Sequence, residues 1–423
     1  MTNRLELEAF LGLIEPGTDL ILPLGNGEPH RLLDMLEENY TSLQNVKVHQ
    51  MLAMRERKYI NGEMKGHLSH ISYFLSGATR KAYWDGHVEL IPNAFQEVST
   101  LLKKTTSKPI VMAVASPMDE HGYFSLGTQA DYVADFIGEV PFVLEVNKYM
   151  PRTFGENVIH VSQIAGYVEN DIPLIVEKSP IITEKDRKIA EFITDDIRDG
   201  DTLQIGIGAI PNAVMSQLKD RRHLGIHTEM LTDGIVDLVN AGAVDGMHKS
   251  TRKGKIIATF AFGTQRLYDF LDNNPSVEFL PVRLVNSAFE IAKEERMVSI
   301  NATTEVDLYG QCASETVGGR YYSSSGGQAD FARGVRLSKY GKGYVCMHST
   351  VKNDTISRIN LHLSPGSIVT TSKNEVDNIV TEYGIARLHG KPISERAKAL
   401  IGIAHPNFRA QLTNEAKAFG LID

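Results

Sequence analysis

The chain predicts an α/β fold built from two similar open α/β domains. Three observations carry this. Short apolar runs alternate with amphipathic helical patterns along most of the 423 residues. Glycine-rich turns follow apolar runs directly, as where a strand feeds a helix N-terminus. One such strand–turn–helix pattern also occurs twice.

The strands expected are Leu20–Leu24, Val46–Gln50, Ile110–Ala115, Val140–Val146, Thr202–Ile207, Ile256–Phe260, Met297–Ile300 and Tyr344–Met347. Each is a short run carrying apolar residues between helical or turn patterns. A helix is expected over His30–Glu38. Another is expected over Lys185–Arg198, where Ile189, Ile193 and Ile197 recur on one face. Thr183 is placed to cap it and Gly200 to stop it.

The repeat aligns Ile14-Glu-Pro-Gly17 through Gly25-Asn-Gly27-Glu-Pro29 with Ile197-Arg-Asp-Gly200 through Gly208-Ala-Ile-Pro211. Both copies read helix end, strand, glycine turn, proline, helix. The next strands also align, Val46–Met51 with Gly225–Glu229. The first copy has Gln50-Met51 where the second has Thr228-Glu229, so the fold of the unit does not require that carboxylate. The repeat places a boundary within Pro173–Thr183, giving domains 1–178 and 179–423.

Composition excludes several classes. Hydrophobic residues at 42% and charged residues at 23% are those of a globular protein that can bury a large core. A net charge of −8 with no basic block argues against nucleic acid as a partner. No apolar run approaches the ~20 residues that cross a bilayer, so no membrane partner is expected. The polar start, Met1-Thr-Asn-Arg-Leu-Glu, lacks the core of a signal peptide. Cys312 and Cys346 show neither disulfide nor metal spacing, and the 14 histidines show no ligand pattern. The expectation is a cytoplasmic protein with no metal.

The chemistry concentrates in the second copy. Thr202-Leu-Gln-Ile-Gly206-Ile-Gly208-Ala-Ile-Pro211 reads as a strand, a glycine turn and a helix start, which presents free N–H groups to an anion. Leu224-Gly-Ile-His227-Thr-Glu229 then ends a second strand beside it. An anion cradle next to a lone carboxylate suggests covalent group transfer on a phosphorylated carrier. Alone, such a glutamate reads sooner as a surface or capping residue, and a bare Gly-x-Gly as a packing turn. A dinucleotide site is disfavoured because the turn lacks the third glycine of Gly-x-Gly-x-x-Gly. His227 shares a strand face with Glu229 and reads as a structural histidine.

Further segments carry a resemblance: Ser116-Pro-Met-Asp-Glu-His-Gly122, Pro151-Arg-Thr-Phe-Gly155, Ser323-Ser-Ser-Gly326-Gly327-Gln-Ala-Asp-Phe331, Val380-Thr-Glu-Tyr-Gly384 and Ile403-Ala-His-Pro-Asn-Phe408. With the two motifs above, they span nearly the whole chain in order. The chain resembles the acetyl-CoA hydrolase/transferase family, in its 4-hydroxybutyrate CoA-transferase branch. The resemblance implies two domains of the CoA-transferase (NagB/RpiA-like) type with the active site at their interface. It implies transfer of CoA between a short-chain acyl-CoA and a carboxylic acid of the 4-hydroxybutyrate, butyrate or acetate type. Thioester hydrolysis and dicarboxylates such as itaconate or succinate are the alternatives.

Glu229 is then the catalytic nucleophile, and CoA or acyl-CoA the substrate. Gly206, Ile207, Gly208, Ala209, Ile210, Asn301, Gly326, Gly327 and Lys352 correspond to the CoA site. The N–H groups of the Asn26-Gly27 turn are candidate oxyanion donors, as are those of Gly326-Gly327. The family pattern Gly-Val-Gly-Gly-Gln reads Ser-Ser-Gly-Gly-Gln here, which bears on the acyl pocket. A dicarboxylate would call for a cation there, with Arg80, Arg152 and Arg320 in loops. A homodimer or homotetramer is also implied.

Overall fold

The structure, a computed structural model, describes residues 4–177 and 180–423. The chain forms two compact units: Met1–Glu177 with Ile257–Val285, and Lys178–Ile256 with Asn286–Asp423. The first crossing lies at Glu177/Lys178. The chain then returns to the first unit over Ile257–Val285, which a single division point does not describe.

The first unit is built on a seven-stranded parallel sheet. Its strands are β1 (Asp19–Leu22), β2 (Val46–Met51), β3 (Leu68–Phe74), β4 (Val88–Leu90), β5 (Pro109–Ala115), β6 (Phe142–Val146) and β7 (Gly166–Glu169), in spatial order β7-β6-β5-β1-β2-β3-β4. The second unit carries β8 (Thr202–Ile205), β9 (Gly225–Ile226), β10 (Met297–Ala302), β11 (Lys342–Cys346), β12 (Asn378–Thr381) and β13 (Gly384–Arg387), in order β9-β8-β10-β11-β12-β13. Only β13 runs antiparallel to its neighbour, β12.

The two sheets share a five-strand core. The run β2-β1-β5-β6-β7 in the first matches β9-β8-β10-β11-β12 in the second, with every pair parallel. In both, the first strand lies between its two chain successors. The strand order therefore reverses beside β1 and beside β8. Open parallel sheets bind ligands at the carboxyl ends of the strands at such a switch point. The glycine turns Gly25–Gly27 and Gly206–Gly208 leave those ends.

The expected elements form with adjusted ends. α1 spans His30–Glu38, and α2 spans Glu184–Thr194. Thr183 opens α2 with a reciprocal capping box to Asp186. The helix ends at Thr194 rather than Arg198, yet Ile197 stays buried with Ile189 and Ile193. The expected strand Ile256–Phe260 breaks at Thr259 into two pieces. Val306, Val345, Ile379 and Leu400 lie in one core cluster of the second unit. Among the described residues, no helix is long and apolar enough to cross a membrane.

Candidate active site

Glu229 lies in a bend just past β9. Two devices hold that bend. The buried Thr228 hydroxyl sits 3.4 Å from both the N–H and the carbonyl of Ile205, and donates to the Met230 carbonyl at 3.2 Å. Below it, the fully buried Lys249 donates to the carbonyls of Ile226 (3.0 Å) and Lys255 (3.1 Å). Its Nζ lies 3.9 Å from Oε1 of Glu294, which is equally buried. Gly225 makes room for this lysine, because a Cβ there would lie 2.4 Å from the Lys249 stem.

The Glu229 carboxylate is held from one side. The Asn286 side chain, fully buried, donates from Nδ2 to Oε2 at 2.7 Å. The Gly327 N–H faces the same group. A Cβ on Gly327 would sit 1.9 Å from Oε2 and 2.2 Å from Asn286 Nδ2. Glycine is thus required by close approach, not by backbone angle, since φ is −96°. Burial pushes Glu229 up to about 7, although the Asn286 amide and the Gly327 N–H favour its charged form. A carboxyl poised near neutrality with fixed donors on one oxygen is suited to nucleophilic attack.

The glycine turn opens a separate cleft of about 290 Å³ within the second unit. Ile207, Gly208, Ala209 and Ile210 line it from the turn, together with Thr303 after β10 and Met347 and His348 after β11. Gly208 adopts φ +117°, a conformation open to glycine, and caps α3 (Ala209–Gln217) without a side-chain bond. Gly206 packs its Cα against the end of β10, where a Cβ would meet the Ile300 carbonyl at 3.4 Å. Asn301 forms a reciprocal amide pair with the buried Gln204, at 3.1 and 3.2 Å, and so ties β8 to β10 beside the turn.

The remaining expected residues lie as follows. Gly326 has φ +55° in the loop before α4 (Gln328–Leu337). Lys352 is exposed at the tip of a short hairpin, with φ +51°, and does not line the cleft. In the first unit, Asn26 spends its carboxamide on the Ile175 backbone and the Tyr268 hydroxyl. The Gly27 N–H donates to Leu24 at 3.1 Å. His227 is buried with its ring edge-on to Phe331. Arg152 pairs with Asp119 at 2.6 Å. Among the described residues, no group of three His, Cys, Asp or Glu is placed to hold a metal ion.

Four residues at these places escaped the sequence reading: Asn286, Thr228, Gln204 and Arg358, the last lining the cleft. Asn286 directly follows an apolar stretch and carries no motif. Thr228 and Gln204 do carry a signal, since they sit inside the His-Thr-Glu segment and the strand before the glycine turn.

Comparisons with known proteins agree with this geometry. The acetyl-CoA hydrolase/transferase N-terminal domain matches residues 4–218, and the C-terminal domain of the same name matches residues 263–416. The chain is 42% identical to the succinyl-CoA:cyclohexane-1-carboxylate CoA transferase of Geobacter metallireducens, over 97% of this chain and 94% of that one. It is also 42% identical to the 4-hydroxybutyrate coenzyme A transferase of Clostridium kluyveri, over 97% and 96%. The crystal structure of RipA from Yersinia pestis superposes with a TM-score of 0.93 at 36% identity, covering 99% of this chain and 98% of that one. By sequence and by fold, the chain belongs to the acetyl-CoA hydrolase/transferase family.

Proposed function

We propose that the protein is a CoA-transferase that moves CoA between a short-chain acyl-CoA and a carboxylic acid through a glutamyl-CoA thioester on Glu229. One observation carries the reading: a carboxyl with its pKa near 7 is gripped by the Asn286 amide and the Gly327 N–H. The names of the full-length relatives, all CoA transferases, support it.

The ionised Glu229 attacks the thioester carbonyl. This forms a mixed acyl–glutamyl anhydride and releases the CoA thiolate. The thiolate attacks the glutamyl carbonyl, which frees the donor acid and leaves the glutamyl thioester. The acceptor acid runs both steps in reverse, so thioester energy is conserved. Asn286 and Gly327 donate to the carboxyl on whose oxygen negative charge grows as the thiolate attacks, and preset donors there lower the barrier. The cleft at Gly206–Ile210 takes part of the CoA chain, with Asn301 bracing its floor. Binding of that remote chain helps orient the sulfur. The acyl groups proposed are of the 4-hydroxybutyrate, butyrate or acetate type, and the protein is placed in the cytoplasm as a homodimer or homotetramer.

The test is intact-protein mass spectrometry after mixing with butyryl-CoA and brief borohydride treatment. The thioester is expected to be reduced to an alcohol, with a small mass loss mapping to Glu229 and loss of activity. Glu229→Gln should show neither adduct nor turnover. Full activity in Glu229→Gln would end the proposal. Acetate added to the glutamyl-CoA enzyme should yield acetyl-CoA rather than free CoA, which separates transfer from hydrolysis.

A further inference from the structure

Arg358 lines the same cleft as the glycine turn and is the only Lys or Arg among the lining residues. Its backbone is fixed on both sides: its N–H donates to Ser349 (2.9 Å), and its carbonyl accepts from Val306 (2.9 Å). Its guanidinium makes no hydrogen bond or ion pair among the described residues. Half-buried cations are ordinarily paired, because lost hydration costs free energy.

The nearby carboxylates are already engaged. Asp186 takes the Thr183 cap bonds and His348 at 2.7 Å. Glu382 accepts the N–H and hydroxyl of Ser349, each at 2.8 Å, with Lys185 at 3.5 Å. Asp354 is held by Lys185 and Thr350. Burial lowers the Arg358 pKa from its ordinary value, and Glu382 only partly offsets this. The cleft therefore keeps one cation without a hydrogen-bonded partner among the described residues, lining the same space as a turn whose helix start has no side-chain cap.

We propose that Arg358 is the phosphate-binding residue of this cleft and pairs with the diphosphate of CoA. The inference deepens the CoA reading above and rests on it. A guanidinium offers two parallel N–H bonds to a phosphate, while Ile207–Ile210 at the start of α3 line the same cleft. Lys352, exposed on the hairpin tip, is not needed for this contact.

Calorimetric titration of the full-length protein with CoA tests it. Arg358→Gln should raise Kd about 10- to 100-fold, and Arg358→Lys should recover part of the loss. The second readout is the preference for butyryl-CoA over butyryl-pantetheine, which carries the same thioester without the diphosphate. As a ratio of kcat/KM, that preference should fall by about the same factor in Arg358→Gln. An unchanged ratio, whether from equal losses or from no loss, would overturn the proposal. Failure of the CoA-transferase reading looks different, because the wild type would then neither bind CoA nor turn over either thioester.

Discussion

Asn286 donates to Oε2 of Glu229 at 2.7 Å, while its own Oδ1 is buried without a partner among the described residues. A buried amide with one end unsatisfied costs free energy. It is retained where its other end does something that an apolar side chain could not. Asn286→Ala should lower kcat about 100-fold, the usual effect of removing one oxyanion donor. Tm should fall modestly at neutral pH, because the ionised carboxylate loses its amide donor. Steady-state kinetics beside a thermal melt checks both.

The pH profile follows from Glu229. In the proposed reaction the carboxylate is the nucleophile, and its pKa lies near 7. Turnover should rise with pH through about 7 and then level off. Asn286 favours the ionised form, so Asn286→Ala should move that limb to higher pH. A limb at the ordinary carboxylate value of 4.5 would contradict the burial of this group.

Linkage gives the matching stability prediction. The folded pKa of Glu229 is raised, so the native state prefers the protonated group. Ionisation therefore costs stability as pH rises from 4.5 through about 7. Glu229→Gln removes that cost. It should melt higher than wild type at pH 8, by about 2 °C or more, with the gap closing at pH 4. Scanning calorimetry at the two pH values reads the sign.

Gly327→Ala separates shape from backbone strain. The φ of −96° suits alanine, yet the new methyl would meet Oε2 at 1.9 Å. The chain should fold and the carboxylate should be pushed aside, with kcat down roughly 100-fold or more, since small misplacements at a reacting centre cost that much. Equal kcat in the two proteins would mean that the carboxylate moves freely.

Lys249→Met tests the support beneath the bend. Removing one partner of a buried ion pair costs about 3–5 kcal/mol, so the variant should unfold at lower denaturant. Adding Glu294→Gln should restore part of the loss, because the uncompensated charge then disappears. A double variant no better than the single would show that the carbonyl bonds of Lys249 carry its contribution.

The parallel sheets could be read from the sequence because they leave local traces, whereas Glu229 stands out only through the family resemblance of the motifs around it. Strands buried on both faces appear as unbroken apolar runs, and the capping box at Thr183–Asp186 is four residues long. Asn286 and Arg358 leave no such trace. Each reaches its place through contacts 57 residues or more away along the chain, or through a cleft assembled from several strand ends. Lys352 shows the converse. A lysine that the resemblance assigns to the CoA site sits at an exposed tip, because three successive left-handed residues, Lys352–Asp354, turn the hairpin there.

The one-sided grip on Glu229 gives its two oxygens unequal careers. Asn286 keeps Oε2, so in the anhydride route Oε1 is the oxygen that bridges to the acyl group. It departs in the donor acid, and the acceptor acid leaves one of its own oxygens behind. Each full turnover thus swaps a single oxygen atom of the enzyme. An acceptor labelled with heavy oxygen would write one label into Glu229, and the next donor would carry it out.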